Sequence, residues 1–404
     1  MSLILLPSIY SDTLSQVFEI NNGTNTFSST PFSSYNVQED NFLLTWNASD
    51  QTSNYIYASI YNSQGSVVVP TKKIFSENFN PQNAITSCYN SKNNQYLITW
   101  YDYALGITFA LLDSEAILIK GPLNLQDTRT SGNINCCFNP FTQQYFLSWA
   151  ATPSFNDYPP YFAIINSDGT VFKGATLINC VNSQAANGGN INCCFNTKTQ
   201  QYLMAWTSTP SNKPFFSIIN ADGSIFKNDI AIEGESYKSI ATCYNSREDT
   251  YFLTWFQTGG AVYYCTLDKN GIIIENPKLL PDLLFDDTSD LYCTYNPLNN
   301  NFLISGPSTP APLKSQFCVI SSQGEYVYPP TILENPNNKN SPGMTFSSFG
   351  SKKDTFIMTR TTEGFAKSYF QLFTQTPPPT SKSAMNKKTC FPSFTPTNPG
   401  KTLF

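Results

Sequence analysis

Cys136 to Trp149 reads CCFNPFTQQYFLSW, and this stretch decides the fold because close variants of it recur along the chain. An aromatic–Asn pair appears as Tyr35-Asn36, Tyr89-Asn90, Phe138-Asn139, Phe195-Asn196, Tyr244-Asn245 and Tyr295-Asn296, with Phe349-Gly350 as a seventh variant. Ten residues after the second member of each pair stand Trp46, Trp100, Trp149, Trp206, Trp255, Gly306 and Arg360. Four residues before that position every copy has an aromatic: Phe42, Tyr96, Tyr145, Tyr202, Tyr251, Phe302 and Phe356. The copies are 54, 49, 57, 49, 51 and 54 residues apart. A period near fifty with strand-like contents points to a propeller or a related repeat array.

Working outward from the third copy, residues 133–138 read as a first strand and 139–143 as a turn rich in Asn, Pro and Thr. Residues 144–150 are apolar on both faces, as a strand covered on both sides must be. A variable loop leads to a third strand over 161–166. Ser167-Asp168-Gly169 then supplies the positive φ of a tight hairpin, and 170–178 form a fourth strand. The same Gly recurs as Gly65, Gly223, Gly271 and Gly324, whereas the second copy has Asp113-Ser-Glu-Ala instead. Four antiparallel strands in each of seven copies make an all-β, seven-bladed β-propeller. The blades are expected near 31–75, 84–125, 133–178, 190–233, 239–280, 290–333 and 344–373. The seventh copy has no fourth strand before Pro377-Pro378-Pro379, and a strand-like run, residues 14–20 (LSQVFEI), precedes the first. That run is expected to pair into the seventh blade and close the ring.

Residues 374–404 form an extended Pro- and Lys-rich tail with no hydrophobic periodicity. Four lysines and no acid give it a charge of +4, which leaves −9 on the rest of the −5 chain. Phe391, Phe394 and Phe404, set among prolines, suit apolar pockets along a groove or sheet edge, and Lys387 and Lys388 suit an acidic surface. The tail is therefore expected to be an assembly arm.

Charged residues make up only 13% of the chain and apolar ones 40%, so the surface must be coated largely with Asn, Gln, Ser and Thr. A net charge of −5 gives no electrostatic footprint for nucleic acid or anionic membrane. No apolar run reaches the roughly 18 residues of a membrane span, and the opening MSLILLP has neither the basic lead nor the cleavage site of a signal peptide.

Of the eleven cysteines, Cys88, Cys137, Cys194 and Cys243 share one repeat position, two residues before the Asn, where the first and seventh copies have Ser34 and Ser348. A site that accepts Ser or Cys asks for a small side chain, which favours packing. Disulfides stay open if the protein is extracellular. No His and no C-x-x-C spacing argue against a metal centre.

The pattern of aromatic–Asn, about five polar residues, Tyr-Leu-hydrophobic-Thr-Trp and then Asn-x-Asp-Gly resembles the Trp-containing propeller repeats of bacterial secreted or surface proteins, over about residues 14–373. The resemblance implies the fold and no particular activity, since that group is mostly of unknown function. WD40 and kelch repeats are less similar, for the chain has no Gly-His, no Trp-Asp ending and no double-Gly opening. The resemblance implies an extracellular, surface or particle-associated setting, although the signal peptide of that group is missing.

A Trp at one fixed offset in five successive copies reads as blade-to-blade core ahead of a sugar-stacking surface. The absence of histidine removes the commonest general base, the usual Ser or Cys triads and most zinc sites. Paired carboxylates still permit glycosidase or lyase chemistry. A sialidase-like arginine cluster does not form from Arg129, Arg247 and Arg360, which fall on different parts of the repeat, and Ser167-Asp168-Gly169 lacks the spacing of an Asp-box. Asp282, Asp286, Asp287 and Asp290, in PDLLFDDTSD, have the oxygen density of a weak Ca²⁺ candidate and read first as a solvated acidic loop. No cofactor is indicated. The loops ATPSFNDYPP, TSTPSNKP and GPSTPAPLKS share one face with the blade connections, and a rigid scaffold displaying variable loops is suited to binding. Phe155, Tyr158 and Tyr161 are candidate anchors there, with Arg129 and Arg360 beside them. The expected function is thus a non-catalytic interaction or assembly module for a protein partner. A glycan-binding propeller and a carboxylate-based glycosidase or lyase are the alternatives.

Overall fold

The computed structural model describes residues 12–376 apart from 22–25, 28, 50–52, 76–84, 126, 127, 129, 131, 132, 152–157, 181–184, 186–190, 209, 210, 287–289, 310–313, 337–344 and 363–366. It is an all-β ring of seven antiparallel sheets, one per sequence copy. The third blade runs Asn135–Asn139, Gln144–Ala150, Pro160–Asn166 and Val171–Leu177 from the channel outward. The second strands of the seven blades contain residues 42–46, 96–100, 145–149, 202–206, 251–255, 302–306 and 356–360, the positions that the repeat fixes.

Each second strand is buried along nearly its whole length because a neighbouring sheet covers either face. The apolar side chains accordingly form no single centre. They divide into a cluster between every pair of adjacent blades, such as Leu97, Ile107 and Phe109 of the second blade with Tyr145, Leu147 and Trp149 of the third. All five tryptophans are fully buried in these seams. The two copies without Trp fill the space differently. A Cβ on Gly306 would stand 3.2 Å from the Phe285 ring, which occupies the position that Trp holds elsewhere. Arg360 is buried outright and donates to Asn335 Oδ1 at 2.7 Å, the Glu334 carbonyl at 2.9 Å and Gln371 Oε1 at 2.7 Å.

The ring closes through the N-terminal run. Thr13–Leu14 and Phe18–Glu19 pair antiparallel with Ser368–Thr374, the third strand of the seventh blade. Ser15 between them donates its N–H to the Leu372 carbonyl, and the Ile20 N–H bonds that of Ser368. Phe18 stacks on Phe370 with ring centroids 4.9 Å apart.

The turns after the inner strands repeat as closely as the strands do. In six blades the Asn side chain of the aromatic–Asn pair accepts the backbone N–H groups two and three residues on, as Asn296 Oδ1 does from Leu298 at 2.8 Å and Asn299 at 3.2 Å. A left-handed residue ends each of the seven turns, and all seven are Asp, Asn or Gln (Asp40, Asn94, Gln143, Gln200, Asp249, Asn300, Asp354). Asp and Asn tolerate that conformation better than most residues. Asn296 Nδ2 also donates to Asp354 Oδ1 at 2.6 Å and Gln375 Oε1 at 2.8 Å, which ties the sixth blade to the seventh. Asn296→Ala would leave two turn N–H groups and the buried Asp354 carboxylate without these partners, so a loss of about 2–4 kcal/mol is expected in chemical denaturation. A change below about 0.5 kcal/mol would show that water replaces the side chain without cost.

Candidate functional site

The channel wall is built from the seven inner strands, and its side chains follow a rule set by the ring. The residue two before the repeat Asn in one blade meets the residue three before the Asn in the next. Ser34 Oγ lies 2.7 Å from Ser87 Oγ, and Thr294 Oγ1 lies 2.7 Å from Ser347 Oγ. At other junctions the pair is made of thiols: Cys88 with Cys136, Cys137 with Cys193, and Cys243 with Cys293, the last with Sγ atoms 3.0 Å apart. Cys194 meets Thr242. Burial pushes the Cys136, Cys137, Cys194 and Cys243 thiols well above the ordinary range.

Toward the loop face the channel narrows on an aromatic cluster of Phe32, Tyr292 and Phe346, with Tyr292 and Phe346 centroids 4.5 Å apart. Asn133 of the third blade donates to Asp290 Oδ2 of the sixth at 3.4 Å, spanning the opening. Burial, and then the Asp290 charge, holds the Tyr292 hydroxyl far above its usual range.

A concavity on the loop face lies between the fifth and sixth blades. It is a cleft of about 470 Å³ lined by Asp282, Leu284, Ser308, Thr309, Lys314, Gln316 and Ile332. Its position follows from one irregularity. The outer strand of the fifth blade, Ile273–Leu284, runs to twelve residues, and Phe285 then bridges to Ser308 in the loop after the second strand of the sixth. That crossing carries the chain over the seam and leaves a trough beside it. Lys314 Nζ is held by Glu334 at 2.8 Å.

The sequence candidates separate accordingly. The described part of PDLLFDDTSD is not one solvated acidic loop: Leu283 and Phe285 are buried in the seam between the fifth and sixth blades, while Asp282 lines the cleft, Asp286 is half-exposed and Asp290 is buried at the channel mouth. These three acids face different surroundings, and the described residues contain no group of three or more acidic, Cys or His side chains placed to hold a metal. Arg360 lies inside the seam between the sixth and seventh blades, where burial lowers its guanidinium to about 10. Tyr161 stacks on Trp149 at 6.0 Å, and Tyr158 packs half-buried on the seam between the third and fourth blades. Arg247 Nη2 donates to the Pro297 and Leu298 carbonyls on the turn face. Phe155, Arg129, Asp287, Lys387, Lys388, Phe391, Phe394 and Phe404 lie outside the described residues. Sequence reasoning placed Ser308, Thr309 and Lys314 in the candidate loop GPSTPAPLKS without singling them out, and it missed Gln316 and Ile332, which belong to strands of the sixth blade.

No protein-family model matches the chain, and no curated protein does. Solved structures do match. A protein of unknown function from Dyadobacter fermentans aligns with a TM-score of 0.54 at 11% identity, covering 90% of this chain and 99% of that one. An oligogalacturonate lyase in complex with manganese aligns at 0.54 and 9% identity, covering 91% and 96%. The polysaccharide lyase Uly1 aligns at 0.52 and 9% identity, covering 89% and 93%. The expectation that the chain is not an enzyme is corrected by the two lyases. Propellers of this shape do carry catalysis, so the fold alone does not set an activity aside. At these identities the likeness establishes the β-propeller fold and goes no further.

Proposed function

We propose that the protein is a recognition module that engages a protein partner on its loop face, with the cleft between the fifth and sixth blades as part of the contact. The observation that carries this reading is the contrast between the two faces. The turn face is uniform, each turn tied down by its own Asn, whereas the chain varies in length and composition on the loop face. The cleft offers opposite charges in Asp282 and Lys314, an amide in Gln316, hydroxyls in Ser308 and Thr309, and apolar walls in Leu284 and Ile332. That mixture suits peptide groups and charged side chains together. No aromatic ring lines it, and all five Trp faces are buried, so the cleft itself lacks the stacking platform that a sugar ring favours. The chain leaves the seventh blade at the opposite face, where the Gln375 N–H bonds the Asp354 carbonyl. An assembly arm made of the tail would start from that face.

The test reverses the cleft chemistry with Lys314→Glu and Ile332→Asp in the full-length protein. Cross-linking in native extract followed by mass spectrometry should recover a partner with the natural protein and lose it with the double variant, at equal melting temperatures. Equal recovery by both proteins would reject the cleft. Binding on a glycan array that the same variant abolishes would replace the protein partner by a carbohydrate.

A further inference from the structure

The inner ring contains a chemical regularity that neither packing nor the recognition reading uses. Cysteines at the position three before the repeat Asn occur in the third, fourth and sixth blades, as Cys136, Cys193 and Cys293. Each faces a cysteine from the preceding blade. Where the facing residue is not a thiol, as at Ser87 and Ser347, its partner is a hydroxyl of matching kind. A mere demand for small side chains does not produce that matching, since Ser, Thr and Cys would then mix freely across the junctions. Only Cys194 with Thr242 mixes the two kinds among the contacts described.

Geometry supports bond formation. The Cys243 and Cys293 sulfurs are 3.0 Å apart, in direct contact and about 1 Å beyond the roughly 2.05 Å of a disulfide. The other two pairs are in thiol-to-thiol contact, each with one cysteine in a seam cluster and its partner packed against that cluster. Each pair joins the inner strands of two adjacent blades, so each bond would close a loop of about one blade, the long-loop case in which a cross-link restricts the unfolded chain most.

We propose that Cys88–Cys136, Cys137–Cys193 and Cys243–Cys293 are three disulfide staples of the channel wall, formed when the chain folds in the presence of a small disulfide oxidant. The reaction is thiol–disulfide exchange. One protein thiolate attacks a sulfur of the oxidant, here glutathione disulfide, and expels one glutathione thiolate. Its partner thiolate then attacks the protein sulfur of the mixed disulfide and expels the second. Two protein thiols and one glutathione disulfide become one protein disulfide and two glutathione thiols, with protons and electrons balanced. Desolvation keeps the thiols protonated in the finished ring, and only the thiolate reacts. Exchange therefore belongs to folding, before the ring shuts.

The full chain is refolded from denaturant with a glutathione redox couple and, in parallel, with reductant alone. Free thiols are then alkylated under denaturing conditions and linked peptides mapped by mass spectrometry. The expected result is the loss of six of the eleven thiols, with Cys180, Cys194, Cys265, Cys318 and Cys390 alkylated and the three links as named. The oxidised protein should melt higher by roughly 5 °C per pair. Scrambled links, or eleven alkylated cysteines in protein that regains its β-sheet spectrum, would overturn the proposal. As a route that does not depend on refolding, native protein is also treated with the small diazene oxidant diamide, which is reduced to its hydrazine as each disulfide forms. The same three links are expected there, forming slowly. In Cys243→Ser the Cys293 thiol should become alkylatable while the other two links remain, and loss of all three would mean that no specific pairing exists.

Discussion

A chain lacking residues 1–21 is expected to lose about 5 kcal/mol or more and to associate through the exposed edge of its seventh blade. The deletion removes Leu14 from the seam between the sixth and seventh blades, and Phe18 and Ile20 from the seam between the seventh and first. Burial of side chains this size is worth about 1.5–3 kcal/mol each, discounted where they stay half-exposed. It also strips the Ser15 and Ile20 backbone bonds to Leu372 and Ser368, together with the exposed Lys367–Glu19 pair, which adds little. The strand left uncovered, Ser368–Thr374, is long and mostly buried in the closed ring, the kind of edge that recruits another chain. Differential scanning calorimetry and size-exclusion chromatography check both effects. A monomer that melts like the natural protein would mean that the seven inner strands hold the ring without this closure.

The tryptophans allow a comparison in which sign matters as much as size. Trp149→Ala should cost about 3–5 kcal/mol, the usual range for a large aromatic removed from a rigid core. Trp149 has no exposed surface, and its indole N–H is buried without a hydrogen-bond partner. Trp255 is equally buried, but its N–H donates to the Glu235 carbonyl at 2.9 Å. Trp149→Phe removes an orphaned donor as well as volume, whereas Trp255→Phe breaks a bond and strands a carbonyl. The second should therefore cost more than the first, by about 1–2 kcal/mol. Equal losses in urea titrations would show that volume alone decides. A variant that kept its stability and lost a ligand would reverse the assignment of the Trp set to the core.

Much of the fold was legible because its period is set by geometry that side chains cannot evade. A strand sandwiched between two sheets must be apolar on both faces, and a turn ending in a left-handed residue is most easily met by Asp, Asn or Gly. Gly306 and Arg360 were visible as exceptions from the same alignment of copies. What replaced the missing rings was not, since Phe285 reaches the Gly306 site from another blade and Arg360 needs three acceptors scattered over 334–371. The acidic run misled because its charges outnumber its apolar residues, although Leu283 and Phe285 sit at strand spacing and go inward. Thiol pairing was hidden for a related reason. The repeat aligns Cys88 with Cys137, yet the ring sets Cys88 against Cys136, and that offset belongs to the stagger between neighbouring blades. The cleft forms where the long outer strand of the fifth blade meets a loop and two strands of the sixth, and a single sequence has no period from which to read that meeting.

The N-terminal closure also imposes an order in time. Thr13–Leu14 and Phe18–Glu19 emerge from the ribosome about 350 residues before the strand that receives them. At about 5–20 residues per second they wait roughly 20–70 s with Phe18 and Ile20 uncovered. During that interval the growing product is an open arc with one unsatisfied rim at each end. A stalled or prematurely terminated product would keep both rims, and the cell's chaperones and proteases would meet it as an adhesive fragment rather than as a smaller propeller.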